Sequence, residues 1–150
     1  MKRSETATKL FQNGCNCSQS VLEAFNDITG YSKEETRQMA APFGGGYLGM
    51  GLPCGVVSGA FMVISRLTWP KDNNEKQKLY SKCLMNNFKS IFEEKNRSIL
   101  CRDLLGKDIS STEQYNEAKD LDLFKKACPL FVQSAVEILE TYIIPQIELN

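Results

Sequence analysis

An all-α fold is what this sequence predicts, on three observations. Apolar residues recur at helical spacing through most of the chain, no stretch alternates apolar and polar as a half-buried strand would, and Ser, Asn, Gly and Pro mark helix starts and stops. Together they predict one domain over residues 1–150, a helical bundle of about five to six helices with a glycine-rich loop ahead of a buried central helix.

Ser4 is placed to cap a first helix, and Ala7, Leu10, Phe11, Cys17, Val21, Leu22, Phe25 and Ile28 keep near-helical spacing, with Gly14 and Asn16 kinking or interrupting it. Thr29-Gly30 stops that run, Gly30 being suited to the left-handed terminal position. Ser32 caps the next helix, with Glu35 three residues on as a capping box requires. This helix ends near Pro42-Phe43. Residues 44–51 then hold Gly44, Gly45, Gly46, Gly49 and Gly51, each costing a helix about 1 kcal/mol relative to alanine. The segment is therefore a loop whose main chain can approach a ligand, a helix or a sulfur atom closely.

From Cys54 to Trp69 the residues are apolar almost all round, which predicts a buried central helix, and Gly55 and Gly59 lie four apart on one face, permitting close packing. After the turn at residues 70–73, a long amphipathic helix runs from about Asn74 to Glu94, its inner stripe being Leu79, Tyr80, Cys83, Leu84, Phe88, Ile91 and Phe92. Residues 99–106 read as a short helical turn ended by Gly106. Residues 107–120 are polar, a surface connection or a poorly packed helix. The last helix is expected from Pro129 to about Ile144, with Leu130, Val132, Ala135, Val136, Leu139 and Ile143 on its apolar side.

Composition narrows the chemistry. Eighteen basic and eighteen acidic side chains cancel, so the field that would gather nucleic acid or an anionic membrane is missing. Residues 1–6 turn polar where a secretory signal needs its apolar run, and no later stretch approaches the roughly 20 apolar residues of a membrane span. The expectation is a cytoplasmic protein with no nucleic-acid partner and no membrane insertion. The six cysteines then do not read as an extracellular disulfide framework. There is no histidine, which removes imidazole as general base, metal ligand and haem ligand. Chemistry must use sulfur, carboxylate, amine or phenol.

Position separates the cysteines. Cys54 follows Pro53 and is expected in the first turn of the central helix, where unpaired amides and the helix dipole lower a thiol's pKa. Cys128 precedes Pro129 and is expected at the start of the last helix with the same advantage. Cys101 is adjacent to Arg102, which offers it positive charge. Cys17 lies beyond the Gly14 interruption, with Cys15 two residues away and, on a regular helix, facing elsewhere. Cys83 reads as core packing. No pair has Cys-x-x-Cys spacing, so neither a thioredoxin-like motif nor a zinc ribbon is present. Gly44-Gly45-Gly46 lacks the Lys-Ser/Thr and preceding strand of a phosphate-binding loop, and Glu34-Glu35 and Glu93-Glu94 read as solvated helix faces.

The run Cys17-Ser18-Gln19-Ser20-Val21-Leu22, the Phe43-Gly44-Gly45-Gly46 segment, Cys54-Gly55-Val56-Val57-Ser58-Gly59-Ala60, Cys101-Arg102-Asp103-Leu104 and Cys128 together resemble the C_GCAxxG_C_C family of redox-active proteins. The resemblance spans nearly the whole chain and implies Cys17, Cys54, Cys101 and Cys128 as the site, with Val56 where the family's Cys-Gly-Ala-x-x-Gly motif has alanine. It also implies a redox partner linked to a transport system.

Three functions stay open at this point. The first is dithiol/disulfide exchange by a thiol-dependent oxidoreductase, with Cys54 as nucleophile and Cys17, Cys101 or Cys128 resolving it. In the second, the same four cysteines hold an iron–sulfur cluster or zinc, while Gly44, Gly45 and Gly46 supply backbone amides to the bound group. The third is a helical binding module, with structural cysteines and a glycine loop that recognises an anion or a partner. A homodimer is compatible with each.

Overall fold

The structure, a computed structural model, describes residues 1–149. It is all-α, with no strand among the described residues. Helix α1 (Arg3–Gln12) begins one residue before the expected Ser4 cap, because Glu5 reaches back to the Lys2 N–H at 3.1 Å, and Ser4 is buried inside the helix. The chain breaks at Gly14 and restarts at α2 (Cys17–Glu23), where Asn16 Oδ1 accepts the Gln19 N–H and Gln19 Oε1 accepts the Asn16 N–H, both at 2.9 Å. A short α3 (Asn26–Thr29) ends on Gly30 at φ +77°. Ser32 and Glu35 form the expected capping box of α4 (Lys33–Ala40), and a 3₁₀ turn over Ala41–Phe43 leads into the glycine loop.

Helix α5 (Gly55–Thr68) is the central element, touching α2, α6 and α9. Its packing on α2 is close for the anticipated reason. A methyl group on Gly59 would stand 2.8 Å from the Ser18 carbonyl oxygen and 3.0 Å from Val21 Cβ, so only glycine lets the two backbones meet. Helix α6 (Glu75–Asn96) follows, capped by Asn74. The main core gathers Leu22 and Phe25 from the α2–α3 region, Val56, Val57 and Ile64 from α5, Leu84, Phe88 and Phe92 from α6, and Val136, Leu139 and Ile143 near the C-terminus. Each such side chain contributes roughly 1.5–3 kcal/mol by leaving water.

The inner stripe of α6 is rotated from the expected one. Ser81, Leu84, Phe88 and Phe92 are buried, whereas Leu79 is 63% exposed and Cys83 faces solvent. The rotation is possible because Ser81 has a partner inside: the Thr68 hydroxyl lies 2.7 Å from its oxygen.

Beyond α6 come α7 (Cys101–Leu105), closed by Gly106 at φ +68°, and α8 (Thr112–Asp120), which buries only Ala118. Helix α9 (Leu123–Ile138) starts well before the expected Pro129, which sits inside it. Proline there leaves the Lys125 carbonyl without its helical donor, and Lys125 is exposed, so water can serve instead. Cys128 is therefore in the helix interior and lacks the amides of a helix start. A π turn over Leu139–Ile143 joins α9 to α10 (Ile144–Leu149). The continuous helix Leu123–Leu149 is long and apolar enough to cross a membrane by length and composition, a match the sequence reading did not find. In the fold, one of its faces supplies Val132, Ala135, Val136, Ile138, Leu139 and Ile143 to the core. A second, smaller cluster lies apart from the main one, built on Cys101, Leu105, Ile109 and Ala118 with Phe124, Ala127 and Cys128 against them.

Candidate functional site

Cys17 is the first residue of α2 and Cys54 the residue that precedes α5, so the close α2–α5 crossing brings two helix N-termini together. Gly55 makes the crossing tight enough for sulfur. A methyl group there would collide with Cys17 Sγ and stand 2.9 Å from the Phe43 carbonyl oxygen and 3.0 Å from the Ser18 nitrogen.

The glycine loop closes over this junction by an unusual route. Gly45, Gly46, Tyr47, Leu48 and Gly49 all take positive φ, from +53° to +75°, and so form a left-handed turn. L-residues in that region each cost roughly 1–2 kcal/mol, so Tyr47 and Leu48 are strained. Backbone bonds hold the turn, among them Leu48 N–H to Pro42 O at 2.8 Å, Gly51 N–H to Gly45 O at 3.1 Å and Leu52 N–H to Gly46 O at 3.0 Å. Asn16 fastens its start: Nδ2 donates to the Ala41 carbonyl at 3.0 Å, and its side chain packs where a Cβ on Gly44 would be. Gly46 is where the loop crosses α7, since a methyl group there would lie 2.5 Å from the Leu52 backbone and 2.8 Å from Cys101 Cβ.

A single antiparallel bridge between Pro53 and Leu100 ties the other cysteines in. The Cys54 N–H donates to the Ile99 carbonyl at 2.6 Å and the Cys101 N–H to the Leu52 carbonyl at 2.8 Å, so Cys54 and Cys101 flank the same bridge. Cys128 packs into the smaller cluster with Cys101. All six cysteines are free thiols.

The sulfurs are not equivalent. Cys17 is drawn down to about 7, chiefly by the Cys54 thiol hydrogen-bonding to it; burial opposes this, and the N–H groups of Gly45, Ser18 and Gly55 support it. Cys54 moves well above the ordinary thiol range because it gives its hydrogen bond to Cys17, is buried, and faces the negative charge Cys17 would carry. Burial first, and the Cys17 charge second, push Cys101 up to about 12. Cys128 also rises to about 12, through burial and then the charges of Cys17 and Cys101.

The thiolate advantage expected at Cys54 thus falls on Cys17. Arg102 does not act on the Cys101 sulfur, whose pKa rises instead of falling. Cys128 has lost the helix-start position that would have lowered its own. Of the three loop glycines, Gly45 turns its N–H to a sulfur, while Gly44 and Gly46 serve close backbone approach. Cys15 stands aside: its thiol donates to Glu23 Oε2 at 3.8 Å, and burial raises its pKa. Cys83 is remote on the outer face of α6.

A tetrahedral zinc or an iron–sulfur cluster needs its sulfur ligands converging at about 2.3 Å from metal. Among the described residues no three Cys, Asp or Glu side chains are grouped in a way that could hold a metal ion.

An all-helical domain with Cys17 and Cys54 buried beside each other beneath a glycine loop is the class that the fold defines. Within it the chain belongs to the C_GCAxxG_C_C family, described as "Putative redox-active protein", whose model matches residues 15–142. No curated protein and no solved structure matches the chain.

Proposed function

We infer that the protein is a dithiol/disulfide redox protein whose working couple is Cys17 and Cys54. The observation that carries this reading is the tight α2–α5 crossing, which buries Cys17 and Cys54 at one junction with Cys17 Sγ against Gly55, the residue that follows Cys54; in keeping with it, Cys17 is drawn down and Cys54 pushed up. An attacking thiol is best poised with its pKa near ambient pH, and a low-pKa sulfur also leaves well when the disulfide is reduced. In the oxidising direction the Cys17 thiolate and the Cys54 thiol close to a disulfide. The couple gives up two electrons and, from this state, one proton, and a substrate disulfide accepts the electrons and, with that proton and a second from solvent, opens to two thiols. The glycine loop keeps water from the thiolate and supplies the Gly45 N–H.

Thiol titration of the full chain before and after oxidation with diamide tests this, with peptide mapping of the product. The expected result is a Cys17–Cys54 linkage in the peptide map with the loss of at least two thiols per chain, and no linkage to Cys54 at this position in Cys17→Ser. Six titratable thiols after oxidation would refute the reading.

A further inference from the structure

The Cys17–Cys54 couple does not use Cys101 and Cys128, yet the fold brings both into one small cluster beside it. Both belong to the smaller apolar cluster beside α8, and the Pro53–Leu100 bridge fixes Cys101 against the segment that carries Cys54. The four sulfurs are also graded in access. Cys17, Cys54 and Cys101 are all under 9% exposed, and Cys128 alone is partly open to solvent. A bulky disulfide therefore cannot meet the Cys17 thiolate, which lies under the left-handed loop, but it can meet Cys128.

We propose that Cys101 and Cys128 form a second dithiol, a relay through which external disulfides exchange electrons with the buried couple, and that Cys128 is the sulfur at which those disulfides react. This deepens the reading of Cys17 and Cys54 as a redox couple and rests on it. In the oxidising direction Cys128, once deprotonated, attacks one sulfur of the external disulfide, and the other sulfur leaves and takes up a proton. The Cys101 sulfur then attacks Cys128 Sγ, releasing the second external thiol and closing a Cys101–Cys128 disulfide. Next the Cys17 thiolate attacks Cys101 Sγ and Cys128 departs, accepting the proton that Cys54 gives up. The Cys54 thiolate attacks Cys17 Sγ, and Cys101 leaves and takes a proton from solvent. The result is a Cys17–Cys54 disulfide, two thiols restored at Cys101 and Cys128, and two electrons delivered to the external disulfide. The order of attack is set by access, since of these four sulfurs Cys128 alone is partly open to solvent; its deprotonation is the slow step, so the relay should run faster as pH rises.

The test uses glutathione disulfide as the probe on the full reduced chain, with acid quenching and peptide mapping over time. In the wild type a Cys128–glutathione adduct and a Cys101–Cys128 linkage should appear before the Cys17–Cys54 linkage. In Cys128→Ser, the Cys17–Cys54 linkage should form about tenfold more slowly or worse with glutathione disulfide, while the small oxidant diamide still forms it. An equal rate in Cys128→Ser, or a wild-type time course in which Cys17–Cys54 forms first, overturns the relay and leaves the couple standing. Failure of diamide to link Cys17 and Cys54 in the wild type overturns both. The wild-type time course decides the matter even where the variant does not fold.

Discussion

Cys17, Cys54, Cys101 and Cys128 all lose exposure to water on folding, yet only Cys17 is drawn down below the ordinary thiol range. Cys17 and Cys54 meet where two helices begin, so backbone N–H groups without helical partners point at sulfur and bring one thiol down to about 7. Cys101 lies in a small apolar cluster against which Cys128 packs, and both rise to about 12. Burial by itself disfavours a thiolate, and it takes directed donors to reverse the sign. Cys101 begins a helix as well, yet α7 has five residues and no neighbouring N–H groups turn to its sulfur.

Substitutions along the loop would break this contrast most severely. Gly46→Ala would put a side chain at φ +68° against the Leu52 backbone and Cys101 Cβ, disturbing both pairs at once, and should destabilise the protein by about 3 kcal/mol in urea unfolding. Gly55→Ala strikes only the first pair, through Cys17 Sγ and the Phe43 carbonyl. A loss of about 2 kcal/mol is expected, together with disappearance of the thiolate that absorbs in the ultraviolet near neutral pH.

The same contrast has a pH signature. Cys17 ionises near 7 when folded and near 9.0, the ordinary value, when unfolded, so its stabilisation is complete above pH 9 and disappears as pH falls through 7. Cys101 and Cys128 have the opposite sign, because their raised folded values favour the native state below pH 9 and that contribution is lost as pH climbs towards 12. Stability measured at a series of pH values should rise by something on the order of 2 kcal/mol between 7 and 9 and then decline. Cys54→Ala, which removes the donor, should abolish much of the rise and move the neutral-range thiolate titration upward; an unchanged titration would show that the backbone donors suffice alone.

Smaller effects sharpen the picture. Gly49→Ala meets open space at φ +75°, so thermal unfolding should report only the left-handed penalty of about 1 kcal/mol, well below that of Gly46→Ala. Cys83→Ser, on the exposed face of α6, should change stability by less than about 0.5 kcal/mol and leave the thiolate titration untouched.

Local signals carried the sequence reading a long way where each feature depends on near neighbours. The left-handed Gly30, the Ser32–Glu35 box and the Gly55/Gly59 face were all legible because capping and helix spacing act within a few residues. Cys83 misled because Leu79 and Leu84 both lie near it, and the burial of Ser81 on its bond to Thr68, with Leu84, Phe88 and Phe92, fixes which way α6 turns. Cys128 misled because a proline can start a helix or sit within one, and the upstream turns of α9 decide. The positive φ of Tyr47 and Leu48 has no local sequence signal at all.

By itself, then, the chain determined its helical class, the loop between α4 and α5, and sulfur as the source of its chemistry, since histidine is absent and helix punctuation is a short-range property. The choice of Cys17 over Cys54 as the thiolate belongs to the tertiary structure. A thiol's ionisation depends on which dipoles reach it through space, and for Cys17 these come from Gly45 and Cys54, residues distant in sequence.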